Sequence, residues 1–466
     1  MSTIDESEPA TWVDLLGPAR LSTSVVLAGG VALHAINIFL TTSLLPTAID
    51  EIGGERLYAW STTVFMIASV VSSMFVSRLL IRRGPLVAYL TALAPFVLGT
   101  VVCAVSPTMA VLLVGRAVQG IGGGLLAGLG YAVVRSAYPQ RLWAKATALI
   151  SAMWGVGTLA GPAIGGLFAQ LGVWRMAFVL LAVLGLLIAV IAPRALPRAE
   201  PSESTDPVPL VSLALLTVAT ALISLAGILT EPLQITGLIL AGTLFAVAFV
   251  RWERRASARV LPVSTYTRRS PLKWSYLAVA VLAMGTVTEA FTPLFGQRLA
   301  GLTPLIAGFL GAAVSLGWSV TMLFTSGVTK PATLRRMRVG GPLVLAAGLA
   351  VTALFQQDNA GPGIVVVWAA GLVFAGAGIG IAFPHIVVAV MGSTPDEEEA
   401  SKAAAGINTV ELMALSFGSA IGGVLVNLGA PSMLHSAQYL LFGFAAVAAV
   451  GGLFAHRSDP RSAAVD

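Results

Sequence analysis

Residues 112–128 read LLVGRAVQGIGGGLLAG, an apolar, glycine-dense run with a single charge, Arg116. A guanidinium in such a run must face a cavity or a partner rather than lipid, because a charge at the bilayer centre costs at least ~2.5–3.5 kcal/mol. Gln119 stands three residues further on, so the two polar groups share one helix face. Gly120 and the glycines after it let a neighbouring helix approach closely. Whether Arg116 is used or is merely tied to backbone carbonyls depends on the rest of the chain.

The chain has 466 residues, 57% of them hydrophobic and only 10% charged, and a mean hydropathy of +0.89. Soluble domains carry about 25% charged residues. A soluble fold of this size could not cover its surface with so few polar groups, so an integral membrane protein is expected. Cys103 is the lone cysteine and there are four histidines. No disulfide framework, metal centre or cofactor is expected. The acidic N-terminus lacks a basic, cleavable leader, so the first apolar run is expected to stay as an anchor.

Fourteen apolar runs are long enough to cross a bilayer as helices. They lie near 24–47, 57–80, 85–105, 108–135, 144–171, 175–193, 210–229, 233–251, 273–297, 304–327, 339–356, 363–391, 403–429 and 434–455. With the N-terminus inside and the sides alternating, nearly all of the 27 Lys and Arg fall on the cytoplasmic side. Only Arg56, Arg175 and Arg298 fall outside, and Arg116 lies within a span. The basic excess therefore reads as a topology signal, aided by lipid headgroups, and not as a nucleic-acid surface. Both termini are expected in the cytoplasm.

Two segments recur at one spacing. GPLV occurs at 84–87 and 341–344, and AIGGLFAQLG at 163–172 is echoed by AIGGVLVNLG at 420–429. Each pair is 257 residues apart, counting 84 to 341 and 163 to 420. A duplicated unit follows: an all-α polytopic protein with a tail (1–23), a six-helix bundle (24–193), a linker (194–272) holding two extra helices (210–251) and a basic loop, a second six-helix bundle (273–455) and a tail (456–466). Two repeats around a midplane site are a transporter architecture.

Several motifs carry a family resemblance. Arg116, Gln119, Gly120, Gly122 and Gly123 resemble the fourth-helix motif of the major facilitator superfamily. GTLAGPAIGG at 157–166 resembles the fifth-helix motif of its antiporters, with Gly157, Gly161, Pro162, Gly165 and Gly166 in place. The segments 252–274 and 293–308 resemble those of its fourteen-helix drug:proton antiporters. The resemblance implies alternating access and a part for Arg116 in proton coupling. Independently of it, Gly157, Gly161 and Gly165 recur every fourth residue and make a helix-packing groove, and Pro162 removes a backbone donor.

The chain departs from that pattern where acids are concerned. The family's loop acid after the second helix is Ile81 here; the first-helix Asp, nine residues before Pro46, is Asn37; and the thirteenth helix carries Glu411 in place of Arg. The remaining ionisable groups at membrane depth are His34, Arg116, Glu289, His385 and Glu411. Glu289 shares a face with Thr286 and Thr292, and Glu411 with Asn408. Each is expected to carry a proton or a cationic substrate, or else to be a neutral structural carboxyl. His34, Asn37 and Thr41 form a polar stripe in the first span. His385, after Pro384, is a weaker candidate of the same kind.

The function expected is a proton-coupled exporter of hydrophobic or amphipathic small molecules, working as a monomer in the cytoplasmic membrane with protons and lipids as its other partners. Export of a lipid or cell-envelope component is the nearest alternative. An uncoupled uniporter or a ligand sensor built on a transporter stands behind it. Nothing resembles a nucleophile–base pair or a phosphate loop, so no enzyme is expected.

Overall fold

In the computed structural model, residues 11–198, 209–267, 270–325, 328, 330–391 and 397–458 are described. The outermost parts of both tails, linker residues 199–208, and Arg268 and Arg269 of the basic loop lie outside them. Among the described residues every element is helical. A short turn α1 (Trp12–Leu16) precedes α2 (Leu21–Ile52), α3 (Tyr58–Ser73), α4 (Val76–Ala104), α5 (Met109–Ala132), α6 (Val134–Ala137), α7 (Trp143–Gln170) and α8 (Arg175–Ala195). Then come α9 (Leu210–Ala226) and α10 (Pro232–Glu253). They are followed by α11 (Leu272–Thr286), α12 (Thr288–Ala300), α13 (Pro304–Gly311), α14 (Ala313–Thr325), α15 (Pro331–Leu354), α16 (Pro362–Met391), α17 (Glu397–Leu428) and α18 (Met433–Arg457).

Among the described residues eleven helical spans are long and apolar enough to cross a membrane, and twelve if α13 and α14 count as one bent span. Tyr58–Ser73 and Leu210–Ala226, at 16 and 17 residues, are shorter. Helices satisfy their own backbone groups, which is what hydrocarbon demands. Their ends are marked by ordinary chemistry. Thr108 and Ser432 cap α5 and α18 through side-chain oxygens, and prolines open α10, α13 and α15. Gly301 closes α12 in the left-handed region.

The expected break between the second and third spans, near residues 80–85, is not a loop. The chain turns within α4 at Gly84, whose φ of 72° suits a residue without Cβ. The run near 304–327 likewise folds as two helices, α13 and α14, bent by 42°.

The packing repeats. In the first half α2 lies on α5, α7 and α8, α4 on α5 and α8, and α3 on α5. In the second half α11 lies on α16, α17 and α18, α15 on α16 and α18, and α14 on α16. The halves meet through α3 with α17, α7 with α13, and α2 with α12 and α13. The echoed Gly-Gly pairs sit at matching joints. A Cβ on Gly166 would lie 2.6 Å from Leu305 Cα, and one on Gly423 2.6 Å from Ala59 Cβ. Each glycine thus lets one half's helix touch the start of a helix in the other. The extra pair α9–α10 packs on itself, with α9 against α17 and α3.

Glu253, at the end of α10, is fully buried. Its carboxylate accepts hydrogen bonds from Ser212 Oγ at the start of α9, from the Val260 amide at 3.0 Å and from the Tyr266 hydroxyl at 2.8 Å. Burial, and then the neighbouring carboxylate, hold the Tyr266 phenol above its ordinary value, so it remains a donor. The basic loop is thereby strapped to both extra helices. Glu253→Gln replaces one acceptor oxygen with a donor facing donors. Bonds to a charged group contribute ~1.5–3 kcal/mol each, less the relieved burial of charge, so a net loss of about 2 kcal/mol is expected. Thermal unfolding in detergent should show it, together with faster tryptic cleavage after Arg254 and Arg255. Unchanged melting and cleavage would exclude the strap.

Candidate functional site

Arg116 lies on α5 and is 2% exposed. Its Nη1 donates to Asn37 Oδ1 at 3.1 Å and to Gln119 Oε1 at 2.5 Å, and its Nε to the Ser61 carbonyl at 3.2 Å. The guanidinium carbon stands 4.2 Å from the centroid of the Phe65 ring. Gln119 is held in turn: its Nε2 donates to Thr100 Oγ1 at 2.8 Å, and Thr100 donates to the Phe96 carbonyl at 2.6 Å. Helices α2, α3, α4 and α5 therefore converge on one cation. The i, i+3 spacing of Arg116 and Gln119 makes the contact between them unavoidable on a helix.

Every hydrogen-bond partner of that cation is neutral. Among the described residues no carboxylate lies within ion-pair distance of Arg116. Neutral acceptors and an aromatic face offset part of the cost of a buried charge, but a counter-ion is absent from the set.

His34 is one helical turn before Asn37 on α2 and is buried. Its ring stacks on Phe65 at 5.5 Å between centroids and meets Trp154 edge-on at 5.6 Å. Trp154, on α7, is exposed. Thr41 completes the stripe by donating to the Asn37 carbonyl at 2.8 Å. Four of the five polar groups foreseen in the first half, Arg116, Gln119, Asn37 and Thr41, are thus bonded together, and His34 adjoins them through Phe65.

Glu289 lies in the second half, also buried. It is not bonded to Thr286 or Thr292, whose hydroxyls donate to Ala283 and Thr288 carbonyls on their own helices. Its Oε1 instead accepts from the Ser315 amide at 2.6 Å. Ser315 is the third residue of α14, just past the bend. The carboxyl therefore caps a half-helix whose first amides have no partner in their own helix.

Glu411 is half-buried on α17 with Asn408 exposed one turn away. His385 is buried on α16 with its Nε2 unpartnered. Arg116, Glu289 and Glu411 make no contact with one another: the cation belongs to one half and the acids to the other. Gly157, Gly161 and Gly165 line the contact of α7 with α2, Gly166 meets α13, and Gly120 accepts a hydrogen bond from Ser69 Oγ at 3.0 Å through its carbonyl.

The acids near the end of α2 have partners. Glu51 binds Trp174 Nε1 at 2.8 Å and Arg175 Nη1 at 2.6 Å. Arg298, from the other half, pairs with Asp50 and, at 3.8 Å, with Glu55. At the same end Tyr58 donates to the Ala290 carbonyl at 2.8 Å, Thr63 to Ser419 Oγ at 2.9 Å and Asn427 to the Arg56 carbonyl at 3.2 Å. This end of the molecule is cross-linked between halves.

Known proteins match this arrangement. The model of the Major Facilitator Superfamily matches residues 27–411. A probable multidrug-efflux transporter of Mycobacterium tuberculosis is 45% identical over 462 residues, covering 98% of this chain and 98% of that protein. The putative multidrug resistance protein MdtD of Escherichia coli O157:H7 is 25% identical over 413 residues, 86% of this chain and 85% of its own. A solved bacterial homologue of the human lysosomal transporter Spinster superposes with a TM-score of 0.67 at 15% identity, covering 96% of this chain and 98% of that one. At that identity the likeness speaks for the fold.

Proposed function

Because the chain belongs to the major facilitator superfamily, we propose that it is a proton-coupled exporter of hydrophobic or amphipathic small molecules, exchanging them for protons by alternating access. It is a multi-pass membrane transporter and not an enzyme. Relatives named for multidrug efflux favour export of small molecules over other cargo.

The observation that carries the reading is the repeated packing of α2–α8 and of α11–α18, joined at α3–α17 and α7–α13, and it supports taking 24–193 and 273–455 as two six-helix bundles. Matching joints allow one half to rock against the other. With both termini cytoplasmic, the cross-linked end lies outside, and the chain crosses the membrane fourteen times. Glu289 and Glu411 are the candidate proton carriers and Arg116 a candidate for coupling or substrate contact. The protein works as a monomer among lipids.

One proton moving inward down 100 mV releases ~2.3 kcal/mol, enough for about a fiftyfold substrate gradient. The test uses proteoliposomes, an imposed pH gradient and a neutral fluorescent amphiphile. Dye accumulation that follows the gradient and stops with a protonophore is expected. Equal flux with and without the gradient would make the protein a uniporter, and movement of labelled phospholipid alone would make it a lipid exporter.

A further inference from the structure

Ten buried side-chain atoms among the described residues lack a hydrogen-bond partner, and three of them, His34 Nδ1, Asn37 Nδ2 and Ser61 Oγ, belong to residues that bond Arg116 or stack on the Phe65 ring it covers. Asn37 and Ser61 each give Arg116 an acceptor while leaving a second polar atom unused. His34 stacks on the ring that Arg116 also covers. Buried donors without partners are rare and expensive, and here they gather around a buried cation that has no anion. The amide of Asn37 and the imidazole of His34 can both donate, as can the Ser61 hydroxyl. A cation ringed by spare donors is the complement of one chemical group, an anionic oxygen pair.

We infer that this cluster binds the carboxylate of an anionic amphipathic substrate. Arg116 supplies the charge and His34, Asn37 and Ser61 the further donors. Guanidinium suits a carboxylate better than a point cation does, because its planar fork meets both oxygens. Trp154 flanks the way in: 38% exposed and edge-on to His34, it offers an aromatic surface to the substrate's apolar body. The cluster is closed in this conformation, so the proposal requires Trp154 to move aside. A substrate carboxylate then supplies the counter-ion that the chain lacks. This assignment rests on the export reading and adds a charge preference to it.

The experiment measures binding to the purified protein in nanodiscs, with no gradient, so it does not depend on proton coupling. The probes are 11-(dansylamino)undecanoic acid and its methyl ester. The acid is expected to bind at least tenfold more tightly. Asn37→Asp gives Arg116 an internal counter-ion and is expected to weaken the acid at least tenfold and the ester far less. Equal binding of acid and ester to the unmodified protein would overturn the proposal, whether or not the variant folds. If the ester binds only when potassium sulfate is exchanged for potassium chloride at matched ionic strength, the site takes a free anion and the proposal fails. Should the neutral dye fail to follow a pH gradient in proteoliposomes while the acid still binds as expected, the coupling fails and the site stands.

Discussion

Glu289→Gln is expected to reduce gradient-driven accumulation at least tenfold while leaving the fold intact and downhill exchange measurable. Gln keeps the volume and one acceptor oxygen, so the bond from the Ser315 amide at 2.6 Å can persist. What it removes is the option of carrying a proton. An ionised carboxylate capping a half-helix contributes ~1–2 kcal/mol, whereas an ionised group at membrane depth costs at least ~2.5–3.5 kcal/mol. The two terms are of similar size and opposite sign, which is what a group that changes charge during a cycle requires. The ionised carboxylate accepts from the Ser315 amide more strongly than the neutral acid does, so protonation weakens the cap on α14. Glu289→Ala separates the two roles, since it loses the acceptor as well and should lower stability by about 1–2 kcal/mol. Proteoliposome uptake and thermal melting of both variants provide the readouts. Wild-type accumulation by the Gln variant would remove Glu289 from the coupling step.

Arg116, Gln119 and Asn37 were legible in the sequence for a physical reason. A lone charge in a glycine-dense run stands out, i and i+3 share a helix face, and Asn37 falls in a polar stripe with His34 and Thr41, its place nine residues before Pro46 coming only from the family resemblance. The rest of that cluster is silent in the sequence. The Ser61 carbonyl belongs to the backbone, and Phe65 and Thr100 are ordinary residues of apolar helices brought near by packing. Glu289 was visible as an acid in an apolar run, but its partner was not. The Ser315 amide is free only because α14 begins afresh after the bend, and nothing polar marks that place. Glu253 was hidden for the opposite reason. It sits among Arg251, Arg254 and Arg255, where a charge reads as solvated, yet the loop folds back and buries it. Of the two short echoes that suggest a duplicated architecture, one marks the joints, where Gly166 and Gly423 meet helices of the other half, whereas Gly84 and Gly341 of the other echo turn or pack within their own halves.

The α2–α7 contact beside those joints carries the second large prediction, Gly161→Val. A Cβ on Gly161 would lie 2.5 Å from Phe39 Cβ and 3.0 Å from the Ile36 carbonyl oxygen, and one on Gly157 2.5 Å from Ala35 Cβ. These obstacles belong to α2 itself, backbone or Cβ, so no side-chain rotation relieves them. The two helices must separate along the face where Gly157, Gly161 and Gly165 recur. Overpacking of a close contact costs ~1–3 kcal/mol, and Val adds two methyls to a site with no room for one. At least ~3 kcal/mol of destabilisation is expected, with transport lost altogether. Helix α7 also carries Pro162 and Gly166 against α13, so the wedge reaches the contact between halves. Gly155 is the control on the same helix: a Cβ there would meet nothing within 4 Å. Gly155→Val should therefore melt and transport close to wild type. A Gly161→Val protein that melts and transports like the Gly155 variant would mean that α7 does not lie against α2 in the working transporter.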